Sequence, residues 1–241
     1  MPSLISLGWD ERYAASFATH AREGLVPGRV TAENRTNRLV AYEGGELIAE
    51  LAGRLLHEPV SPSELPKVGD WIALEVRDSG ARGTIRAVLD RRTQFSRKFS
   101  GDRTGEQVIA ANADILFIVQ GLDRDFNLRR LERYLVMAYD SGASPAVVLN
   151  KADLRPDWET AVLDAEEVAP GVPVIAASAR EGWGVDRIRQ ILGEGVTGVF
   201  IGSSGVGKST LVNALMGREV QETREVRMED ARGRHTTTRR E

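Results

Sequence analysis

Eight consecutive residues, Gly202, Ser203, Ser204, Gly205, Val206, Gly207, Lys208 and Ser209, match the spacing G-x-x-x-x-G-K-[ST] without a gap, and Thr210 follows. That spacing suits the holding of phosphate. Glycines let the chain turn so that successive backbone N–H groups point inward at phosphate oxygens. A helix beginning near Lys208 adds the positive end of its dipole. The Lys208 ammonium then reaches the β and γ phosphates, and the Ser209 hydroxyl suits a magnesium ion. The flanks are the right ones: an apolar run, "VFIG", leads in and a helical run, "STLVNAL", leads out. A glycine-rich turn that binds nothing is the plain alternative, and those flanks argue against it. The loop specifies a nucleotide and leaves the base open.

A second stretch addresses the base. "VVLNKADL" at 147–154 reads as a buried strand running into Asn150, Lys151, Ala152 and Asp153. A carboxylate only accepts hydrogen bonds, and guanine offers Asp153 two adjacent donors, N1–H and the 2-amino group. Adenine has an acceptor at N1 and no 2-amino group, so it leaves the carboxylate unpaired. A buried unpaired acceptor costs about 1–3 kcal/mol, more when charged. The Lys151 stem can lie over a flat base while its head stays near the phosphate loop. Asn150 can bond the base edge and tie the two loops together. Further on, "AASAREG" at 176–182 ends another strand, and Ser178 and Ala179 there are candidates for a backbone donor to the base carbonyl. An ordinary turn is the alternative for both stretches; their position at strand ends, in a chain with a phosphate loop, favours the base-reading one.

The elements that must position these residues follow from periodicity. From residue 113 on, compact apolar runs ("ADILFIVQ", "PAVVLNK", "VPVIAAS", "TGVFIG") alternate with helical patterns ("NLRRLERYLVMAYDSG", "DWETAVLDAEEVA", "GVDRIRQILG", "GKSTLVNALMG"). Buried strands alternating with helices predict an α/β P-loop domain with a mostly parallel sheet covered on both faces. Residues 28–95 are different, with short apolar–polar alternations broken by Gly44-Gly45 and "DSGARG", which read as hairpin turns. About five strands in that span predict a small all-β barrel. A short helix is expected within 9–24.

Composition bounds the rest. The chain has 241 residues, 41% of them hydrophobic, enough for an ordinary core. The net charge of −3 argues against bulk attraction to nucleic acid while permitting a local basic face. The absence of cysteine excludes disulfides and thiolate metal sites within this sequence. No apolar run is long enough to span a membrane, and a cytoplasmic, monomeric protein is expected.

The order of the motifs, base reader, second base loop, then phosphate loop, is that of a Ras-like domain cut and rejoined. Together with "RKFSGDRTGEQVIAANADILFIVQGLDRDFNLRRLERYL", "LAGRLLHE", "LPKVGDW", "ARGTIRAVL" and "GRHTTT", it resembles the circularly permuted ribosome small-subunit-dependent GTPases over nearly the whole chain. The resemblance implies an N-terminal extension (1–27), an RNA-binding OB-fold (28–97), a linker (98–112) and a permuted GTPase domain (113–241). It implies binding of GTP and GDP with Mg2+, and GTP hydrolysis stimulated by the small (30S) ribosomal subunit during its late maturation. "GRHTTT" at 233–238 resembles switch I, so one of Thr236, Thr237 and Thr238, with Thr237 or Thr238 preferred, is expected to hold magnesium. His235 is a candidate to assist water activation; a surface histidine is the bland alternative. Members of that family continue with an Asp-Thr-Pro-Gly switch II and a zinc domain, neither of which follows here. The expectation is therefore an incomplete G domain, weak hydrolysis and no zinc in this chain.

Between Arg77 and Arg103 stand eight Lys/Arg against three Asp/Glu, and "RRTQFSRKFSGDR" adds two phenylalanines. Basic residues interleaved with aromatics suit phosphate contact and base stacking, making Arg91, Arg92, Arg97 and Lys98 candidate contacts to rRNA. Two other readings compete: an RNA- or ribosome-binding module with an inert G domain, and a P-loop ATPase or kinase, which Asp153 argues against.

Overall fold

The computed structural model describes residues 3–34, 36–57, 64–98, 106–123 and 125–219. The switch candidates His235, Thr236, Thr237 and Thr238 lie outside these residues. The described residues form two compact units, one of residues up to Asp114 together with Glu194–Thr197, the other of Ile115–Gly193 and 198–219.

In the first unit, helix α1 (Glu11–Ala21) falls within the expected stretch, its first turn capped by the Asp10 carboxylate accepting from the Tyr13 N–H at 3.1 Å. Strands β1 (Val26–Glu33), β2 (Arg38–Tyr42), β3 (Gly45–Leu51), β4 (Trp71–Arg77) and β5 (Arg82–Val88) close a barrel in the order β1-β2-β3-β5-β4, with helix α2 (Gly53–His57) between β3 and β4. Only the β3–β5 pairing is parallel. This is the order of an OB-fold. The two expected turns are there: Tyr42 pairs with Gly45 across β2–β3, and residues 78–80 turn β4 into β5. The alternation places Val30, Val40, Leu47, Ile72, Leu74 and Ile85 inside the barrel, all essentially inaccessible. Strands β6 (Gln94–Lys98) and β7 (Glu106–Ala111) pair antiparallel. The stretch 98–112 expected as a linker thus contains a strand. Its end is tied to the barrel by the Ala111 N–H donating to the Val68 carbonyl and the Asn112 side chain donating to the Gly69 carbonyl.

The second unit holds β8 (Ile115–Gly121), β9 (Ser144–Asn150), β10 (Val174–Ala176) and β11 (Gly198–Ile201) in the order β10-β9-β8-β11, every pairing parallel. The helices are α3 (Leu128–Ser141), α4 (Trp158–Val168), α5 (Val185–Ile191) and α6 (Lys208–Met216). Helix α3 buries Leu131, Leu135, Ala138 and Ser141, one face at helical spacing. It is capped by Asn127 at its start and ends on left-handed Gly142. It packs on β8 and β9 while α4 packs on β10. Phe117, Val119, Ala146, Val148 and Ile175 form a core with Ile188 of α5 and Leu211 of α6. Because all four strands run the same way, the loops that leave their C-terminal ends gather at one edge, where such sheets bind ligands.

Candidate functional site

That edge carries residues 121–123 and 125–127 after β8, 150–154 after β9, 177–183 after β10 and 202–207 after β11. Residues some fifty positions apart in sequence therefore meet. Asn150 is the junction. It is buried, and its Nδ2 donates to the Val206 carbonyl at 2.9 Å while its Oδ1 accepts from the Ala179 N–H at 3.0 Å. One side chain joins the base-reader, second-base and phosphate loops. An amide has two donor hydrogens and two acceptor lone pairs, so one hydrogen on Nδ2 stays available for a ligand. The Ala179 N–H, expected to face a base carbonyl, is engaged by Asn150 here. Ser178 is fully buried, its hydroxyl accepting from the Glu181 N–H at 3.2 Å and its N–H donating to the Trp183 carbonyl. It shapes the loop.

Beyond Asn150 the chain turns sharply. Lys151 is left-handed (φ 62°), an uncommon conformation for a residue with a side chain, and Ala152–Leu154 forms a single 3-10 turn. Ala152 is buried and its N–H donates to the Ala177 carbonyl at 3.1 Å. The turn leaves Asp153 exposed, with no hydrogen-bond partner for its carboxylate among the described residues. An exposed carboxylate with open acceptor positions beside a fixed loop can take two donors from a ligand edge. The Lys151 ammonium meets Asp123 Oδ2 at 2.5 Å. Asp123 belongs to no nucleotide motif, and sequence reasoning missed it. Burial opposes its ionisation, but the hydrogen bonds from Lys151 and the Asp125 N–H and the Lys151 charge hold its carboxyl below the usual range.

The phosphate loop depends on left-handed glycines. Gly202 (φ 148°) leaves no room for a side chain, since a Cβ there would lie 2.2 Å from the Val119 carbonyl oxygen. At Gly207 (φ 93°) a Cβ would lie 2.3 Å from Asn150 Nδ2, so glycine is what lets the base reader approach. Ser203, Ser204 and Gly205 form the open side of the loop, and Val206 is buried in the core of the sheet. Lys208 begins α6, with Ser209 and Thr210 half-buried in its first turn. The Lys208 ammonium donates to the carbonyls of Gly202 (2.9 Å) and Ser203 (2.7 Å). Burial pushes its pKa below the usual lysine range, against an upward pull from Asp125. A phosphate would supply the negative charge that this partly desolvated cation lacks.

The candidate RNA contacts part company. Arg91 is bidentate on fully buried Asp70, Nε to Oδ1 at 2.8 Å and Nη2 to Oδ2 at 2.7 Å, and it also donates to Gln94 and the Leu65 carbonyl. Arg92 bonds the Tyr13 hydroxyl, Asp10 and Asp114, with its guanidinium 4.8 Å above the Tyr13 ring. Both therefore clamp the first unit internally. Desolvated carboxylates need such partners. Arg97 and Lys98 lie on β6, and their side chains are outside the described residues.

A parallel sheet with a phosphate loop last and a base reader first, preceded by an OB barrel, defines a circularly permuted P-loop nucleotide-binding protein. Residues 88–241 match the RsgA GTPase family. The chain is 46% identical to a small ribosomal subunit biogenesis GTPase RsgA of Opitutus terrae, covering 99% of this chain and 67% of that protein. It is 43% identical to the like-named protein of Streptomyces coelicolor, covering 98% of this chain and 64% of the other. Among solved structures, YjeQ from Thermotoga maritima matches with a TM-score of 0.64 and 25% identity over 79% of this chain and 65% of that one. YloQ, described as a circularly permuted GTPase, matches in fold with a TM-score of 0.59 and 20% identity, over 79% of this chain and 63% of that one. The chain belongs to the RsgA GTPase family and spans about two thirds of the length of these relatives.

Proposed function

We propose that this chain binds GTP and GDP and hydrolyses GTP in the service of small ribosomal subunit maturation, with the subunit stimulating turnover. The observation that carries the reading is Asn150, whose two hydrogen bonds hold the base-reader, second-base and phosphate loops as one site. The likeness to relatives named for small-subunit biogenesis supports the partner.

Gly202 through Thr210 cradle the phosphates, Lys208 exchanges its two loop carbonyls for phosphate oxygens, and Asp153 selects guanine. Among the described residues no group of three or more His, Asp or Glu is placed to hold a metal. A magnesium ion carried in by phosphates needs few oxygens from the protein. Ser209 and one of Thr237 and Thr238 would hold it. There it would supply positive charge against the charge that develops on the phosphate oxygens. The protein's own part is positioning and charge stabilisation. His235 is assigned to water activation on the ribosome, and its replacement by Ala is expected to lower subunit-stimulated turnover while leaving nucleotide affinity in place. Arg97 and Lys98 remain the proposed rRNA contacts.

The test is GTP turnover with and without purified small subunits, followed by phosphate release. Turnover that rises with added subunits and is abolished by Lys208→Ala supports the proposal. Guanine binding with no turnover in either condition supports the alternative of a ribosome-binding module with an inert G domain.

A further inference from the structure

We infer that Asp123 is a positioning residue that holds the Lys151 side chain where the flat face of a bound base meets its stem. The inference rests on the guanine-site reading and adds to it a residue that no nucleotide motif contains.

Four observations place Asp123 in this role. Its Oδ2 meets the Lys151 ammonium at 2.5 Å, joining the loop after β8 to the loop after β9. Its Oδ1 accepts from the Asp125 N–H at 3.1 Å, so the carboxylate is itself held. The two loops are kept in register beside it by the Leu122 N–H donating to the Asn150 carbonyl at 2.8 Å. Gly121 leaves the space: a Cβ there would lie 2.9 Å from Asp123 Oδ1 and 3.6 Å from Lys151 Cδ.

The chemistry gives the arrangement a purpose. Lys151 stands in a left-handed turn at the mouth of the site, and its stem has four rotatable bonds. Without a partner the ammonium samples many rotamers, and the acceptor nearest in sequence is the base-reading carboxylate of Asp153. An ion pair between those two would occupy the acceptors that guanine needs. Asp123 takes the ammonium instead. The stem is then fixed in advance of binding, and less rotamer freedom is lost when the base arrives.

Asp153 reads the donor edge of the base, whereas Lys151 covers its face, and the two roles separate experimentally. The affinities of GDP and of inosine diphosphate, which lacks the 2-amino group, are measured by calorimetric titration of the full chain. Asp123→Asn is expected to weaken both by the same factor, about three- to fivefold for a half-exposed ion pair, leaving their ratio intact. Asp123→Glu restores most of the loss, and in a Lys151→Ala background Asp123→Asn has no further effect. Unfolding midpoints measured alongside report any general damage, and Asp123→Glu keeps the test open if the Asn variant is unstable. Wild-type binding of GDP with unchanged affinity in Asp123→Asn overturns the inference alone. The same holds for a loss that persists without Lys151. A wild-type chain that binds neither nucleotide overturns the guanine-site reading, and this inference with it.

Discussion

Asp153 and Asn150 make opposite demands on the same turn, one left open and the other bonded through both the nitrogen and the oxygen of its amide. Exchanging the Asp153 carboxylate for an amide replaces one acceptor with a donor. Asp153→Asn is therefore expected to lose guanine affinity by about thirtyfold or more and to gain for xanthine, whose C2 carries a carbonyl. Competitive titration of GDP against xanthosine diphosphate reads this directly. Asn150→Ala strips the Val206 carbonyl and the Ala179 N–H of their partner at buried positions. The expected loss is about 2–3 kcal/mol of stability, seen as a lower denaturation midpoint even without nucleotide. Lys208 contributes a pH dependence. Its pKa is lowered in the free site by burial, and phosphate raises it again. Binding therefore takes up a proton in the window between the two values, and affinity falls as pH rises through the lower one. Calorimetry at alkaline pH in buffers of different ionisation heat measures that uptake, and Lys208→Arg, which stays charged, should flatten the curve.

At the level of elements, what could be read in advance was what periodicity and turn chemistry control. The face of α3, its stop at Gly142, the four parallel strands and the two barrel turns all follow from patterns of apolar residues and glycines. The phosphate loop and Asn150–Asp153 were legible because spacing along one strand–loop–helix unit fixes their geometry. Asp123 was not, because its role depends on two loops meeting across neighbouring strands. The pairings of Arg91 and Arg92 were not legible because charge is normally a surface signal, and nothing local shows that Asp70 is buried under Arg91 or that Arg92 reaches Tyr13, Asp10 and Asp114. The same burial makes Arg91 costly to remove. Arg91→Ala leaves the Asp70 carboxylate without its bidentate partner, an expected loss of about 3–5 kcal/mol by denaturant unfolding. Burial already raises the Asp70 pKa. Its folded value then lies above the unfolded one, so the penalty in the variant is absent below the unfolded value and complete above the folded one. The variant should be relatively less impaired in acid. Gly207→Ala tests a packing contact between elements: it brings a methyl against Asn150 at a left-handed position, and the phosphate loop and base reader should loosen together.

For the molecule as a whole, the order of parts along the chain matters most. A parallel sheet brings its C-terminal loops together whatever order the strands follow in sequence, so a permuted domain can rebuild the same site. Here the base loops come first, the phosphate loop follows β11, and an OB barrel stands ahead of both. The account stands on guanine being chosen by Asp153 in a site that Asn150 holds together. The most direct measurement is the affinity of this chain for GDP against ADP, by calorimetry in the presence of magnesium. The account predicts GDP binding at least a hundredfold tighter, with the preference collapsing in Asp153→Ala. Equal affinity for the two nucleotides, or a preference that survives in Asp153→Ala, would contradict it.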